Sequence, residues 1–356
     1  MKSYIEKNLN GVDLTFEEAM ELFEMPLPVV GKIADTIRKK KCGDLVTFVA
    51  DRNINYTNVC VSKCKFCAFY ARKKEDEYVL SYDEILKKIE EAEKFGVTQI
   101  LLQGGINPNL GIEWFERLFR LIKSKHPKIQ LHALSPPEIY FLAEKENLSI
   151  EEVLKRLIKA GMDSLPGGGA EVLSDRVRKI VSPNKVGSDG WIEVMRVAHK
   201  LGLKSSATMM FGHLDKDEDI LEHLFRIRDL QKETGGFTAF VCWTFQPERT
   251  ELYRKGLVKH PVSAARYLRV LAISRIVLHN FRNIQASWLT QDFDIAALAL
   301  FFGANDFGGT MLEENVVRAT GKKFRPARID EIVKAVKAVG RPVAQRNTLY
   351  QIIKEF

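Results

Sequence analysis

Short apolar runs and longer amphipathic stretches alternate along most of this chain. The short runs are rich in β-branched and aromatic residues, which favour strands, and each is long enough for one buried strand. The runs cover residues 45–58, 98–105, 129–135, 162–168, 204–212, 237–245 and 283–289.

The stretches between these runs carry apolar residues at helical spacing. Several of them open with Ser or Asp and close with Gly, as helix caps do. They cover residues 81–96, 112–125, 149–161, 190–202, 217–236 and 261–279. A repeated strand–helix unit predicts parallel strands joined by right-handed crossovers, which close into a TIM-type α/β barrel.

The two ends of the chain fall outside this repeat. Residues 1–44 have a helical period and predict an N-terminal helical cap, which leaves residues 45–290 for the barrel core. Residues 291–356 contain FDIAALALFFGA and RIDEIVKAVKAVG, which predict a C-terminal helical segment that closes the barrel, followed by an irregular tail. Because no linker or low-complexity segment separates these parts, we expect one integrated domain.

Composition and charge indicate where the protein is located and which kinds of partner it has. No apolar run approaches the roughly 20 residues that cross a bilayer, and the acidic N-terminus is unlike a targeting peptide. We therefore expect a cytoplasmic protein without membrane contacts. The net charge of +8 suits an anionic ligand. The basic clusters Arg38–Lys41 and Arg72–Lys74 are short and lack interleaved aromatic residues, so we expect no nucleic-acid partner.

Three cysteines carry the most informative motif. Cys60, Cys64 and Cys67 have C-x3-C-x2-C spacing in NVCVSKCKFCAFY, with no fourth cysteine nearby. An iron–sulfur cube takes one protein ligand per iron, so three thiolates leave one iron open for chemistry. This spacing, with Phe66 directly before the last cysteine, is similar to that of the radical S-adenosylmethionine (SAM) enzymes, and the resemblance implies that Phe66 contacts SAM. The resemblance implies that the open iron chelates SAM and that the reduced 4Fe-4S cluster cleaves it to a 5′-deoxyadenosyl radical.

Two other interpretations of these cysteines, a zinc site and disulfide bonds, have less support from the sequence. A zinc site usually needs four compactly spaced ligands, and Cys42 and His126 lie far off in sequence. A non-catalytic, zinc-binding protein nevertheless stays as an alternative. Disulfides are disfavoured by the odd count of five cysteines, so Cys42 and Cys242 are interpreted as ordinary buried thiols.

In a barrel of this kind the functional residues lie at the C-terminal ends of the strands. Gln103, Gly104 and Gly105 end the second apolar run, and glycine lets the backbone approach a ligand closely. The resemblance implies that this strand end binds the amino group of SAM. Ser135 ends the third run and is also predicted to contact SAM, whereas alternation places His132 on the other face as a structural histidine.

The fourth run leads into LPGGGAEVLSDRVRKIVSP, where three glycines precede a predicted helix. Glu171 lies near the start of that helix, and Arg178 falls on the same helical face seven residues later. Such a pair suits two parts of one ligand, and both residues are predicted to bind SAM. The alternative is a pair of surface charges without a ligand.

Longer segments carry a closer resemblance. INYTNVCVSKCKFCAFY, QGGINPNLGIEWF, LHALSPPEI, AGMDSLPGGGAEVLSDRVRKIVSPNK and FFGANDFGGTMLEENVV together resemble the cyclic dehypoxanthinyl futalosine synthases of the futalosine route to menaquinone. The resemblance runs from about residue 40 to the C-terminus. It implies a barrel of the radical SAM class and dehypoxanthine futalosine as the substrate.

The implied reaction begins when the deoxyadenosyl radical removes the C4′ hydrogen of the substrate ribose. The carbon radical then adds to the benzoate ring, which must afterwards lose an electron and a proton to regain aromaticity. The group that takes the proton cannot be assigned from the sequence. Position alone indicates five substrate-pocket residues: Asn55, His213, Trp288, Asn305 and Asp306.

The resemblance also implies an electron donor such as flavodoxin or ferredoxin. Two sister activities stay open as alternatives, aminofutalosine synthase and a deazaflavin (F420 precursor) synthase. The segments HALSPPEI and GANDFGGTMLEENVV favour the cyclase over both of them.

Overall fold

A computed structural model describes all residues from Met1 to Phe356. Its strands form one eleven-stranded sheet, parallel throughout except for the last pair. The strands are β1 (Val46–Val49), β2 (Asp51–Ile54), β3 (Gln99–Leu102), β4 (Gln130–Ala133), β5 (Ser164–Leu165), β6 (Lys204–Phe211), β7 (Phe237–Thr244), β8 (Asn283–Gln285), β9 (Asp306–Gly309), β10 (Val343–Arg346) and β11 (Ile352–Glu355).

The sheet closes into a barrel through its first two strands. Only Ala50 separates β1 from β2, and the two act as one continuous strand. β1 pairs with β9 through Thr47 and Asp306, whereas β2 pairs with β3 through Asp51 and Gln99. Because the order β9-β8-β7-β6-β5-β4-β3 joins these two pairings, the eight-membered ring is complete. The predicted TIM-type barrel is confirmed.

Each of the seven apolar runs contains a strand, but the eighth barrel strand lies elsewhere. β9 is built from Asp-Phe-Gly-Gly, a sequence with one apolar side chain and two glycines. It lies beyond the expected barrel boundary at residue 290, so the barrel extends to Gly309. The tail is not irregular either, because β10 pairs with β1 and β11 pairs with β10.

Helices connect the strands and cover the outside of the barrel. They are α1 (Lys2–Leu9), α2 (Phe16–Glu24), α3 (Leu27–Cys42), α4 (Tyr82–Glu93), α5 (Ile112–Lys125), α6 (Pro136–Glu146), α7 (Ile150–Ala160), α8 (Asp175–Val181), α9 (Ser188–Lys200), α10 (Asp217–Thr234), α11 (Glu251–Arg254), α12 (Ala264–Val277), α13 (Phe293–Ala299) and α14 (Ile329–Ala338). α1 to α3 precede the barrel strands, and α3 packs against α12.

Local chemistry explains where several helices begin. Ser81 and Ser149 each form a capping box with the glutamate three residues later. Pro136 and Pro137 open α6, where a missing N–H costs nothing, so the proline pair starts a helix as well as ending a strand. None of the helices combines the length and the apolar character needed to span a bilayer.

Candidate active site

The loop that carries the cysteine motif lies over the C-terminal ends of the barrel strands. It follows β2, and Val61 N–H donates to Ile106 O beyond β3 at 2.9 Å. On its far side, Lys65 N–H donates to Val181 O at the end of α8, and Lys65 O accepts the N–H of Glu251 in α11. These bonds hold the loop against three connections at the mouth of the barrel.

Cys60, Cys64 and Cys67 are all free thiols, and Cys67 N–H donates to Cys64 O at 3.1 Å. No three His, Cys, Asp or Glu side chains in the structure converge closely enough to hold a single metal ion. A lone zinc ion needs donors within about 2.3 Å of one point, whereas a cube spreads its thiolates over separate irons. Three thiolates at this spacing suit a cluster that leaves one iron open.

A buried lysine joins the cysteine loop to Glu171. Lys185 Nζ lies 2.9 Å from Glu171 Oε1 and 5.2 Å from the centre of the Phe66 ring. Burial alone would lower the pKa of Lys185, but the nearby Cys64 and Glu171 raise it above its ordinary value. Lys185 was not indicated by the sequence, because SPNKVG carries no signal that separates it from a surface lysine.

Glu171 and Arg178 do come together, but not on one helix as predicted. α8 begins only at Asp175, and Glu171 lies in the preceding loop with a φ of 43°. Arg178 Nη1 reaches Glu171 Oε2 at 3.4 Å, and both side chains are buried. Burial alone would raise the pKa of Glu171, yet Lys185 and Arg178 outweigh it and hold the pKa below its ordinary value. The carboxylate is therefore ionised, and the surface-pair alternative is wrong.

Two buried nitrogen atoms near this carboxylate have no hydrogen-bond partner. They are Arg178 Nε and His213 Nε2. His213 Nδ1 lies 2.9 Å from Asp215 Oδ1, which orients the ring. Because buried polar atoms are nearly always hydrogen-bonded, unsatisfied donors or acceptors beside an ion pair fit a site that takes a polar ligand.

Gly104 and Gly105 allow close packing within the protein. A Cβ on Gly104 would lie 2.8 Å from the Tyr56 ring, and a Cβ on Gly105 would overlap the carbonyl of Val59 in the cysteine loop. The two glycines thus let β3 approach that loop. The sequence predicted these glycines for contact with a ligand, and the structure shows that they also allow close packing inside the protein.

A buried glutamate on α6 holds the same strand end. Glu138 Oε1 accepts the Tyr56 hydroxyl at 2.5 Å and Gly104 N–H at 3.3 Å, and Ser135 Oγ donates to Glu138 Oε2. Burial raises the pKa of Glu138 to about 7. Ser135 therefore supports Gly104 through Glu138. Glu138 itself was missed, because an acidic residue near a helix start is common for reasons of capping alone.

A cavity of about 280 Å³ fills the barrel beneath this mouth. Gln103, Glu171 and Trp288 line its upper part, and Trp288 Nε1 donates to Gly309 O at 2.9 Å. His132 also lines the cavity and lies 2.6 Å from Ser164 Oγ through Nδ1. His132 is satisfied as predicted, but it points into the barrel rather than away from the site.

Asn55 lies close to the mouth but is engaged within the protein. Its Nδ2 donates to Gln103 O at 3.1 Å, and its Oδ1 accepts from Asn315 Nδ2 at 3.3 Å. Neither Asn55 nor His213 lines the cavity.

Asn305 and Asp306 are misplaced by the sequence prediction. They stand at the start of β9, so they lie at the opposite end of the barrel from the mouth. Asn305 Oδ1 accepts from Arg275 Nη2 at 2.7 Å and from Ile284 N–H at 2.9 Å. Asp306 Oδ2 pairs with Arg346 Nε at 2.5 Å and accepts the Thr47 hydroxyl at 2.6 Å. Both side chains brace the base of the barrel.

Comparison with known proteins identifies the class to which this fold and site belong. Residues 54–227 match the radical SAM superfamily model, and residues 234–355 match the model of the CofH/MqnC C-terminal region. The chain belongs to the radical SAM superfamily of enzymes, whose members use a 4Fe-4S cluster and SAM. Within that superfamily it falls in the CofH/MqnC family.

Curated relatives of two activities align over nearly the whole chain. Cyclic dehypoxanthine futalosine synthase of Streptomyces coelicolor is 40% identical over 99% of this chain and 88% of that protein. The enzyme of the same name from Halalkalibacterium halodurans is 42% identical over 99% of this chain and 95% of that protein. The 5-amino-6-(D-ribitylamino)uracil–L-tyrosine 4-hydroxyphenyl transferase of Methanocaldococcus jannaschii is 39% identical over 96% and 98%.

Solved structures confirm the fold alone. Methylornithine synthase (PylB) superposes with a TM-score of 0.75 at 18% identity, over 95% of this chain and 96% of that one. The hydrogenase maturase HydG of Carboxydothermus hydrogenoformans gives 0.76 at 17% identity, over 98% and 80%.

Proposed function

We propose that this radical SAM enzyme converts dehypoxanthine futalosine to its cyclic product in menaquinone biosynthesis. The observation that carries the proposal is the alignment of nearly the whole chain with two synthases of this name at 40% and 42% identity. The geometry supports it, because Lys185 joins the cysteine loop to Glu171, and Glu171 lines the barrel cavity.

In this proposal Cys60, Cys64 and Cys67 hold the 4Fe-4S cluster. The cluster and SAM, when bound, supply a 5′-deoxyadenosyl radical. The protein's part is to bind SAM at the mouth and to keep water away from the radical. We assign SAM binding to Phe66 of the cysteine loop and to the residues around the ion pair and the end of β3, which are Gln103, Gly104, Gly105, Glu171, Arg178 and Lys185. Ser135 supports Gly104 through Glu138.

Glu171 is suited to ribose hydroxyls or an ammonium group, since its carboxylate is ionised and buried. Arg178 and Lys185 are the cations closest to it, at 3.4 and 2.9 Å. They are suited to the carboxylate of the methionine part, for which Arg178 Nε is still unpartnered.

The substrate would occupy the cavity below the SAM site. Its C4′ hydrogen must face the mouth, and its benzoate ring must fold onto the same carbon, because the reacting atoms have to lie within roughly 3–3.5 Å of one another. Trp288 on the cavity wall offers a flat apolar surface for a ring. His213 and Asn55 stay predicted substrate contacts that do not line the cavity, and Asn55 would have to exchange its contacts with Gln103 and Asn315 to reach a ligand.

Electron delivery requires a partner, and we propose a carrier such as flavodoxin or ferredoxin. A 4Fe-4S cluster with an open iron needs a reducing environment, which fits the cytoplasmic location expected from the sequence. The barrel, the N-terminal helices and the C-terminal segment would then act as one domain, because β10 and β11 extend the barrel sheet itself.

An anaerobic assay of the reconstituted enzyme tests the activity. With SAM, reductant and substrate deuterated at the ribose C4′, we expect one deuterium in the released 5′-deoxyadenosine and a cyclic product by mass analysis. An adenosyl–substrate adduct would instead indicate the aminofutalosine synthase type of reaction.

The transferase relatives at 39% identity supply the second candidate function. The same enzyme should be incubated with tyrosine and 5-amino-6-(D-ribitylamino)uracil in place of the futalosine. A 4-hydroxyphenyl adduct formed from these, with no cyclisation of dehypoxanthine futalosine, would replace the cyclase assignment.

A further inference from the structure

The last step of the proposed cyclisation needs a proton acceptor, and few groups in the cavity can serve. Six titratable side chains line it: Asp51, His132, Glu171, Glu314, Arg346 and Tyr350. Arginine and tyrosine are already protonated at neutral pH, and burial raises the pKa of Tyr350 further. Four candidates remain.

Two of these four are poor bases. Glu171 pairs with Lys185 and Arg178, which hold its pKa below the ordinary value. Burial lowers the pKa of His132 to about 3, so its neutral ring has little affinity for a proton.

Glu314 is occupied by the backbone. Its Oε1 accepts the N–H groups of Val316 at 2.8 Å and Val317 at 2.9 Å, and its Oε2 accepts Arg318 N–H at 3.1 Å. Protonation of this carboxylate would disrupt the turn that it caps. Glu314 is therefore a structural group.

Asp51 differs from all three. It lies on β2, and its carboxylate packs so closely on Gly309 that a Cβ there would overlap it. Oδ1 accepts Met311 N–H at 2.8 Å, whereas no backbone N–H reaches Oδ2. Burial raises the pKa of Asp51 to about 6, a rise moderated by Met311 N–H and Arg346. The carboxylate is thus ionised at neutral pH and more basic than an ordinary aspartate.

We propose, resting on the proposed function, that Asp51 accepts the proton whose loss restores the aromatic ring. The C–H bond at the attacked ring carbon breaks, the proton goes to Asp51 Oδ2, and the electron pair stays with the ring. The resulting ring radical anion passes one electron to a one-electron carrier of the iron–sulfur or flavin class. Asp51 acts only after hydrogen abstraction, so its loss should separate abstraction from product formation.

The test is a single-turnover assay of the reconstituted Asp51→Asn enzyme. Positioned general bases contribute roughly 10²- to 10⁴-fold, so the ratio of cyclic product to 5′-deoxyadenosine should fall by about 100-fold or more. SAM affinity should stay unchanged, and an organic radical should accumulate in the electron paramagnetic resonance spectrum. The matched control is Asp189→Asn, the same change at an exposed aspartate that does not line the cavity, and it should keep the wild-type ratio. An unchanged ratio in Asp51→Asn, or an equal loss of product and deoxyadenosine, overturns the proposal.

A measurement on the wild-type enzyme covers the case in which Asp51→Asn does not fold. The same ratio should fall as the pH drops through about 6, because only the ionised carboxylate accepts a proton. The charged groups that face Asp51 are Arg346 of β10 and Asp306 of β9, which form a pair of their own. Effects of pH on SAM cleavage cancel in the ratio.

A ratio that does not change across this range contradicts the assignment of Asp51. A wrong assignment of the cyclase activity itself would give a different result. In that case the wild-type enzyme cleaves SAM but forms no cyclic product at any pH.

Discussion

At the base of the barrel Asp306 and Arg346 pair through two contacts, and neither side chain leaves a polar atom without a partner. At the mouth Glu171 pairs with Lys185 and Arg178, yet Arg178 Nε has no partner at all. Both groups are buried in the same protein, but the base has one cation for its carboxylate and the mouth has two. They differ in whether the protein alone satisfies them.

Within these two ion-pair groups, that difference indicates which one has room for a polar ligand. A fully satisfied buried ion pair is what a closed structural network requires, because any unpaired charge there is costly. An unsatisfied nitrogen beside a buried ion pair costs stability unless a ligand completes it. SAM binding is therefore expected at the mouth, where the cysteine loop also lies, and not at the base.

The largest expected effect comes from the cysteine loop. Cys60→Ala, Cys64→Ala and Cys67→Ala should each abolish SAM cleavage, because each iron needs its thiolate. Cys42→Ala and Cys242→Ala are the controls and should keep both the cluster and the activity. The measurements are the iron content and the deoxyadenosine yield after anaerobic reconstitution. If Cys42 or Cys242 proves necessary for the cluster, a four-thiolate site replaces the open-iron interpretation.

At the base, the substitution Arg346→Met should lower the free energy of unfolding by about 3–5 kcal/mol, the usual cost of leaving one partner of a buried pair alone. Denaturant titration of the purified protein measures this change. The double variant Arg346→Met/Asp306→Leu is the control and should recover much of the loss, since it leaves no lone charge. A loss of SAM binding without a loss of stability would place Arg346 in the functional site and break the contrast.

The sequence predicted those parts of the fold that short-range patterns determine. Seven of the eight barrel strands coincide with apolar runs, and the helix starts at Ser81 and Ser149 follow from their capping boxes. β9 escaped prediction because Asp-Phe-Gly-Gly has neither the apolar content nor the alternation of a strand. It forms a strand because it pairs with β1 and β8, and the intrinsic strand propensity of its residues does not account for it.

The site was predicted where one loop carries it and missed where distant segments build it. The three cysteines lie within eight residues of one another, so their spacing could be read directly. Lys185 reaches Glu171 from fourteen residues away, and Arg346 reaches Asp306 from forty. Neither partner can be chosen without the fold. Glu171 also has a positive φ, which places it outside the helix that it was predicted to share with Arg178.

At the mouth, Glu171→Gln should weaken SAM binding and leave the cluster spectrum intact. One charge-assisted hydrogen bond contributes roughly 1.5–3 kcal/mol, so the affinity should fall by about 10- to 150-fold. Equilibrium binding of SAM to the reconstituted protein gives the value. The surface variant Glu151→Gln is the matched control. An unchanged affinity would make the Glu171–Lys185 pair a structural group like that at the base.

The smallest expected effect is on the pH dependence of the free energy of unfolding, to which two buried histidines contribute. Burial lowers the pKa of His132 and His223 to about 3, whereas in the unfolded chain histidine titrates near about 6.5. Below that value the unfolded chain binds more protons, so each histidine reduces stability as the pH falls from about 6.5 towards 3. Asp51 and Glu138 act in the opposite sense, because burial raises their pKa values to about 6 and about 7 and the folded state takes up their protons first.

The slope of the wild-type protein alone is therefore not diagnostic, and a comparison with His223→Asn is needed. His223 Nδ1 accepts Leu173 N–H at 3.1 Å, a bond that the asparagine carbonyl can replace without a titrating group. Between about pH 6 and pH 5 the free energy of unfolding of the variant should fall less steeply, by about 1.4 kcal/mol per pH unit. Denaturant titrations at matched ionic strength give both curves. Parallel curves would contradict the prediction, because they would mean that His223 does not gain a proton on unfolding and is already protonated in the folded protein.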